Sequence, residues 1–393
     1  MTIRASGHPT KEGQTVTQLD SPRANAGFAT GSFKIGLFGA NCSGGLAITN
    51  VRERWDGSWP SNIALAHAAE ESGLDFLLPI ARWMGFGGES EFQREVLETI
   101  VWATGLLART RRITVFATVH SAFFHPIVAG RQLATADQMS GGRMGLNIVA
   151  GWNQPEYEMF GTELPDDHDV RYGLAQEWCD VVKRLWSGPD PFDFDGRYFK
   201  LGNVQGEPKP CGPGLPPILN AGGSAQGQAF AQRNADILFT SIVEPEEDRH
   251  KVAQIKAEAR SNFGRENVGV FTPCYVVCRP TDREAIDYHQ YYAVDHADPE
   301  AVDRLMTLTI KHTKTLSEDV IRQIKVRLAG GHGVYPLIGS PDTVARGIES
   351  LARAGLDGIT ISFVDYLAEL PYFVTEVLPR LERSGLRAHA PQV

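Results

Sequence analysis

The densest concentration of potential chemistry lies in residues 143–157, RMGLNIVAGWNQPEY. Residues 143–150 are apolar and β-prone, short enough for a buried strand, yet Asn147 sits in the middle. A carboxamide there must find partners or cost about 1–3 kcal/mol. The run breaks at Gly151, and Trp152, Glu156 and Tyr157 follow within a few residues. A polar intruder in a buried strand, then an aromatic and polar loop, fits the C-terminal mouth of a parallel barrel, where such folds keep their chemistry.

Other segments would feed the same mouth. Thr118 ends the apolar run 113–118, so its hydroxyl would face Asn147. His120 and His125 follow, without the H-x-H or HExxH spacing of a metal site, and read as structural ahead of substrate-binding. The loop 81–92, ARWMGFGGESEF, reads as a mobile site wall in which Arg82 could meet an anion or a carbonyl. The bland alternative is a loop whose aromatics pack on the barrel rim. Residues 220–229, NAGGSAQGQA, open a helix after a strand: the glycines free backbone N–H groups for a phosphate, and Ser224 could donate to it. An ordinary tight turn with Ser224 as helix cap explains the pattern equally well.

Arg171 and Tyr172 could offer a guanidinium and a phenol to that phosphate, or be a surface arginine and a packed tyrosine. The run DDHD at 166–169 reads as a helix cap and a solvated acidic turn, and no metal site is expected. No nucleophile elbow and no well-placed carboxylate pair occur. Because the polar intruders are neutral, a cofactor is expected to carry the hard chemistry.

Short apolar runs at 34–39, 75–80, 113–118, 143–150, 217–221, 236–241, 268–278 and 358–363 alternate with helical stretches at 61–72, 91–109, 127–139, 169–186, 247–262 and 341–354, one after the 217–221 run that ends at 234, and a last one ending at about 383. Eight strand–helix units predict an α/β fold of the (β/α)8 TIM-barrel type, with a doubly wound sheet as the rival. The pattern predicts a flexible N-terminal arm over 1–32, one barrel domain over 33–385, and a tail over 386–393. Two segments interrupt it: 188–214, an ordered loop or short hairpin, and 280–335, a lid or an oligomer contact.

Composition narrows the function. A net charge of −9 argues against nucleic acid as a partner. No run is long and apolar enough for a membrane span, and no signal-type leader is seen, so a cytoplasmic location is expected. The cysteines at 42, 179, 211, 274 and 278 are expected to be reduced and buried, with Cys42, on a glycine-rich loop, the one to watch.

Residues 34–40, GFGG at 85–88, QLATADQMSGGR at 132–143, NIVAGW at 147–152 and AGGS at 221–224 resemble the bacterial luciferase-like flavin-dependent monooxygenases. The likeness runs from about residue 34 to 380 and is nearest the branch of pyrimidine and dimethylsulfone monooxygenases. It implies reduced FMN, supplied by a separate NAD(P)H:flavin reductase, together with O2 and a small-molecule substrate. It also implies a flavin (hydro)peroxide that cleaves a C–S or C–N bond. By the same resemblance Tyr172, Gly222, Gly223 and Ser224 hold the flavin phosphate with Arg171 as helper, and Gly151 and Tyr157 border the cofactor. Leu78, Thr118 and Asn147 then flank oxygen beside the ring, Trp152 stacks on flavin or substrate, and Arg82 stands where the pyrimidine branch has a lysine. The region 41–59 looks more like the sulfone branch. A homodimer or homotetramer is expected. The rival readings are a deazaflavin-dependent oxidoreductase and a flavin-binding barrel without catalysis.

Overall fold

A computed structural model describes residues 28, 31–310 and 316–388. Eleven strands form: β1 Lys34–Phe38, β2 Phe76–Leu78, β3 Thr114–His120, β4 Met144–Val149, β5 Phe192–Asp195, β6 Lys200–Val204, β7 Ile218–Asn220, β8 Ile237–Phe239, β9 Gly269–Cys278, β10 Tyr335–Gly339 and β11 Gly358–Ile361. β1, β2, β3, β4, β7, β8, β9 and β11 pair in that order, all parallel, and β11 returns to β1 to close an eight-stranded barrel. Helices cover the outside, among them Thr99–Leu107, Pro126–Ser140, His168–Ser187 and Ala225–Asn234. Closure leaves no free edge and gathers every strand's C-terminal end at one mouth.

The lumen is packed solid. Phe76, Phe116, Phe239 and Phe271 fill it with Leu78, Leu219 and Ile237. Glycines on the strands make room for these rings: a Cβ on Gly36 would come 2.6 Å from Phe76, and one on Gly145 2.5 Å from Phe116. A second apolar shell, including Ile35, Val115, Leu146 and Val270, joins the strands to the helices.

Phe28 and Arg387 both lie at the base of the barrel. Phe28, within the arm expected to be flexible, packs edge-on against Phe76 and Phe116 at 5.6 and 5.8 Å. The rest of the arm up to residue 27 lies outside the described residues. Arg387, placed by the sequence in a C-terminal tail, instead donates to the Phe33 and Gly73 carbonyls at 3.1 and 2.8 Å and pairs with Asp75 at 2.6 Å. Residues 389–393 of that tail lie outside the described residues.

Segment 188–214 contains an antiparallel hairpin of β5 and β6. Segment 280–335 is helical: Asp282–Gln290, a π-helical turn at Tyr291–Asp295, Pro299–Thr309 and Glu318–Gly331 lead into β10, which pairs with the outer half of β9. It is fastened over the mouth. Asp298 accepts from the Ser90 backbone at 2.7 Å, Ile48 donates to the Ala329 carbonyl at 2.9 Å, and Thr49 donates to the His296 carbonyl at 3.0 Å. A separate apolar cluster including Phe86, Phe92, Tyr292 and Leu305 lies beneath it. It is therefore a packed roof.

The helix expected from residue 91 starts at Thr99, capped by the Glu98 carboxylate on the Ile100 and Val101 amides. Glu91 and Gln93 stand at φ 46° and 54°, which no helix accepts. Those residues extend the loop, and Gln93 lies buried behind the wall, where it accepts from Arg82 Nε at 3.3 Å. We expect Gly145→Ala to lower stability by about 1–3 kcal/mol, because the Phe116 ring has nowhere to retreat. A urea-melt midpoint indistinguishable from wild type would refute this account of the lumen.

Candidate active site

The mouth contains a cavity of about 370 Å³ whose walls come from the ends of β2, β3, β4 and β7 and from the roof. Thr118 and Asn147 sit opposite each other in the parallel pairing of β3 and β4. The Thr118 hydroxyl donates to the Pro79 carbonyl at 2.6 Å, so its oxygen is left to accept, and it takes the Asn147 Nδ2 at 3.2 Å. This chain orients the amide. Asn147 Oδ1 is then buried without a protein partner in a residue that lines the cavity.

At the far side of the cavity, Asn220 bonds the Ile148 carbonyl at 2.7 Å and accepts from the Gly222 amide at 2.8 Å, which fixes the turn after β7. Ser224 caps the helix Ala225–Asn234 through the Gly227 amide at 3.1 Å, and its hydroxyl also bonds Tyr172. Gly222 has no room for a Cβ because Gly227 abuts it, whereas Gly223 faces open space. Arg171 donates to the Gly151 carbonyl at 3.2 Å, leaving Nε buried and unpaired, and His168 Nδ1 is likewise unpaired. An anion end is thus built from a helix N-terminus, a guanidinium and an imidazole, with orphan donors turned to no protein group. A flavin phosphate fits that end, and the flavin ring edge, which carries both donors and acceptors, fits the unpaired Asn147 Oδ1.

The opposite wall is built around Arg82, whose side chain is 3% exposed. Nη1 pairs with Glu156 at 3.3 Å and Nε donates to Gln93 at 3.3 Å. Its guanidinium lies between the Phe86 and Trp152 rings, 4.7 and 5.1 Å from their centroids. The Glu156 carboxylate also accepts from the Trp83 and Met84 amides at 2.8 and 3.3 Å. His120 lies 3.9 Å from the same carboxylate; burial pushes its imidazole down to about 4, against an opposing pull from Glu156.

Of the residues singled out in the sequence, Arg82, Thr118, Asn147, Gly151, Trp152, Arg171, Tyr172, Gly222, Gly223 and Ser224 converge on this cavity. Leu78 does not: it packs in the lumen below, and Pro79 and Ile80 form the wall in its place. Tyr157 is also behind the surface. Its hydroxyl donates to the Ala150 carbonyl at 3.0 Å and occupies the space a side chain at Gly151 would need, so Gly151, at φ 96°, has to be glycine. His125, weighed as a substrate ligand, instead caps a helix by accepting from the Ile127 amide at 3.3 Å. Cys42 is buried and burial pushes its thiol up to about 12, so it is inert.

Sequence reasoning missed Glu156, His168, Asn220 and His332 as cavity or wall residues. Glu156 lay within the marked loop without a role, because its partner Arg82 is 74 positions away. No cluster of metal-ligating side chains occurs among the described residues, and none of their helices is long and apolar enough to cross a membrane.

Residues 34–358 match the family model "luciferase-like monooxygenase". The chain is 31% identical over 366 residues to pyrimidine monooxygenase RutA of Enterobacter cloacae subsp. cloacae, covering 92% of this chain and 98% of that one. The fold is similar to that of DmoA from Hyphomicrobium sulfonivorans, with a TM-score of 0.81 at 20% identity over 91% of this chain and 90% of that one. It is also similar to riboflavin lyase RcaE, solved with modified FMN and riboflavin, with a TM-score of 0.80 at 23% identity over 92% and 94%.

Burial of neutral His120 has a measurable consequence. The unfolded chain takes up a proton near 6.5, while the folded protein refuses it until about 4. Native stability therefore falls as pH drops from about 6.5 toward 4. We expect His120→Gln to lose less stability than wild type between pH 7 and 5. Parallel stability–pH curves for the two proteins would show that His120 is not a source of the slope.

Proposed function

This chain belongs to the luciferase-like monooxygenase family, and from that premise we propose that it is a two-component enzyme taking reduced FMN from a separate NAD(P)H:flavin reductase. Reduced FMN would supply two electrons to O2, one oxygen atom entering a small organic substrate and the other leaving as water. The observation that carries the reading is the unpaired Asn147 Oδ1, held in place by Thr118 between an anion-binding end and an aromatic wall.

In this reading Arg171, His168, Tyr172, Ser224 and the Gly222–Gly223 turn hold the phosphate. Asn147 accepts a hydrogen bond from the flavin ring edge, and Thr118, with its own proton committed to Pro79, keeps the amide from turning over. Pro79 and Ile80 take the wall position first given to Leu78, and Tyr157 acts from behind by shaping Gly151. Arg82 and Trp152 face the substrate, the guanidinium as a planar donor for a carbonyl or similar oxygen. The roof keeps bulk water out, which strengthens each polar contact inside.

The 31% likeness to a pyrimidine monooxygenase favours an amide-bearing ring as substrate and C–N cleavage over C–S cleavage. The likeness to DmoA, at 20% identity, speaks for the fold alone. The test is anaerobic titration with reduced FMN and with a reduced deazaflavin, followed by coupled turnover with a flavin reductase and NADH. Asn147→Ala and Thr118→Val should each cut coupled oxidation by about 10²-fold, the scale of losing one preorganised polar group, and Thr118→Ser should restore it. No affinity for reduced FMN, or binding of the deazaflavin alone, would end the proposal.

A larger hollow of about 1080 Å³ lies on the outside, away from the mouth, between the helices Thr99–Leu107 and Pro126–Ser140 and the hairpin. Val101 and Val128 there are 71% and 51% exposed. Arg131, Lys200 and Gln205 also line it, but its exposed surface is mostly apolar, and such a face suits a contact between copies in a homodimer or homotetramer. Light scattering should give an oligomer that Val101→Glu converts to monomer. A monomeric wild type would exclude this role for the groove.

A further inference from the structure

Among the described residues, the roof sends one side chain to the cavity wall, His332. It ends the helix Glu318–Gly331 in the left-handed conformation, φ 57° and ψ 22°, with its amide donating to the Leu328 carbonyl at 2.8 Å. Glycine or asparagine is the favoured occupant of such a position, and this segment reads Gly330, Gly331, His332, Gly333. A histidine there accepts backbone strain that either neighbour would have avoided.

It carries a second cost. Nε2 is buried and has no hydrogen-bond partner. The residue's own backbone engages the ring, and burial beside the Arg82 charge holds the imidazole far down, at about 3, so it is neutral. In the neutral ring that carries its proton on Nδ1, this partnerless Nε2 is a lone-pair acceptor at the cavity wall. The ring is set edge-on to Phe86 at 6.0 Å and tilted to Phe92 at 6.2 Å, the same Phe86 that supports the Arg82 guanidinium. Strain and an unsatisfied acceptor at one residue of a cavity wall are costs that folding alone does not explain.

We propose that His332 is a specificity-determining residue whose Nε2 accepts a hydrogen bond from a substrate N–H while Arg82 donates to the adjacent substrate oxygen. The inference rests on the monooxygenase reading above and deepens it. Donor and acceptor together select the –CO–NH– edge of an amide or cyclic imide, and reject sulfones and N-alkylated analogues, which have no proton to give.

The test uses full-length protein loaded with oxidised FMN, and calorimetric binding of uracil, its N-methylated derivatives and dimethylsulfone. Wild type should prefer the N–H imide to the N-methyl compounds by about tenfold or more, the scale of one acceptor left unpaired. His332→Phe keeps the ring and its packing but removes the acceptor. It should abolish that preference while FMN affinity, read by flavin fluorescence, stays within about twofold. His332→Gly should behave like His332→Phe in binding and yet raise the melting temperature, since it relieves the strain; a purely structural histidine would do the reverse. An unchanged preference in His332→Phe overturns the inference, and so does a wild type that binds none of these probes. Either result leaves FMN binding and oxygen incorporation, measured separately, to decide the wider reading.

Discussion

A guanidinium that cannot reach bulk water organises the mouth of this barrel. Taking Arg82 out of water is costly unless a counter-charge and enough acceptors go with it. Glu156 supplies the charge from the loop after β4 and Gln93 supplies an acceptor from the loop after β2. The carboxylate also satisfies the backbone of Trp83 and Met84, so the same oxygen that neutralises the charge pins the two loops together. Phe86 and Trp152 then close on the two sides of the cation. The wall opposite the anion end is thus rigid because a charge had to be solvated by protein.

The barrel makes that rigidity useful. Phenyl rings facing glycines leave the lumen no slack, so the strand ends that carry Thr118 and Asn147 have fixed positions. The roof covers them and is fastened by Asp298, Ile48 and Thr49 to the loops that form the walls. Under the proposed function, oxygen chemistry and substrate choice would fall to different parts: strand ends would hold the first, and the inserted roof would take part in the second.

Much of this was legible in the sequence, for physical reasons. The eight barrel strands stand out because parallel strands buried on both faces read as continuous apolar runs. Asn147 and Thr118 stand out because polar groups in such runs are anomalies. Leu78 was misplaced because it still sits in the lumen layer, and the cavity wall begins only at Pro79 and Ile80, one and two residues further along the chain. The helix before Thr99 was overextended because left-handed backbone at Glu91 and Gln93 leaves no mark in residue type. Glu156 and His332 were invisible as site residues: each acquires its role from a partner or a cavity far away in the chain, and the roof has no periodic signal tying it to the mouth. Family resemblance pointed to Gly222–Ser224 as a phosphate site, where the pattern alone left an equal choice between turn and ligand site.

The clasp that Arg387 makes with Phe33 and Asp75, beside the Phe28 plug, sits at the base of the barrel, opposite the cavity. The same clasp ties the margin of the last helix to the start of the first strand, so a barrel cut back to residues 33–388 could be ring-closed or permuted with only a short joint between them.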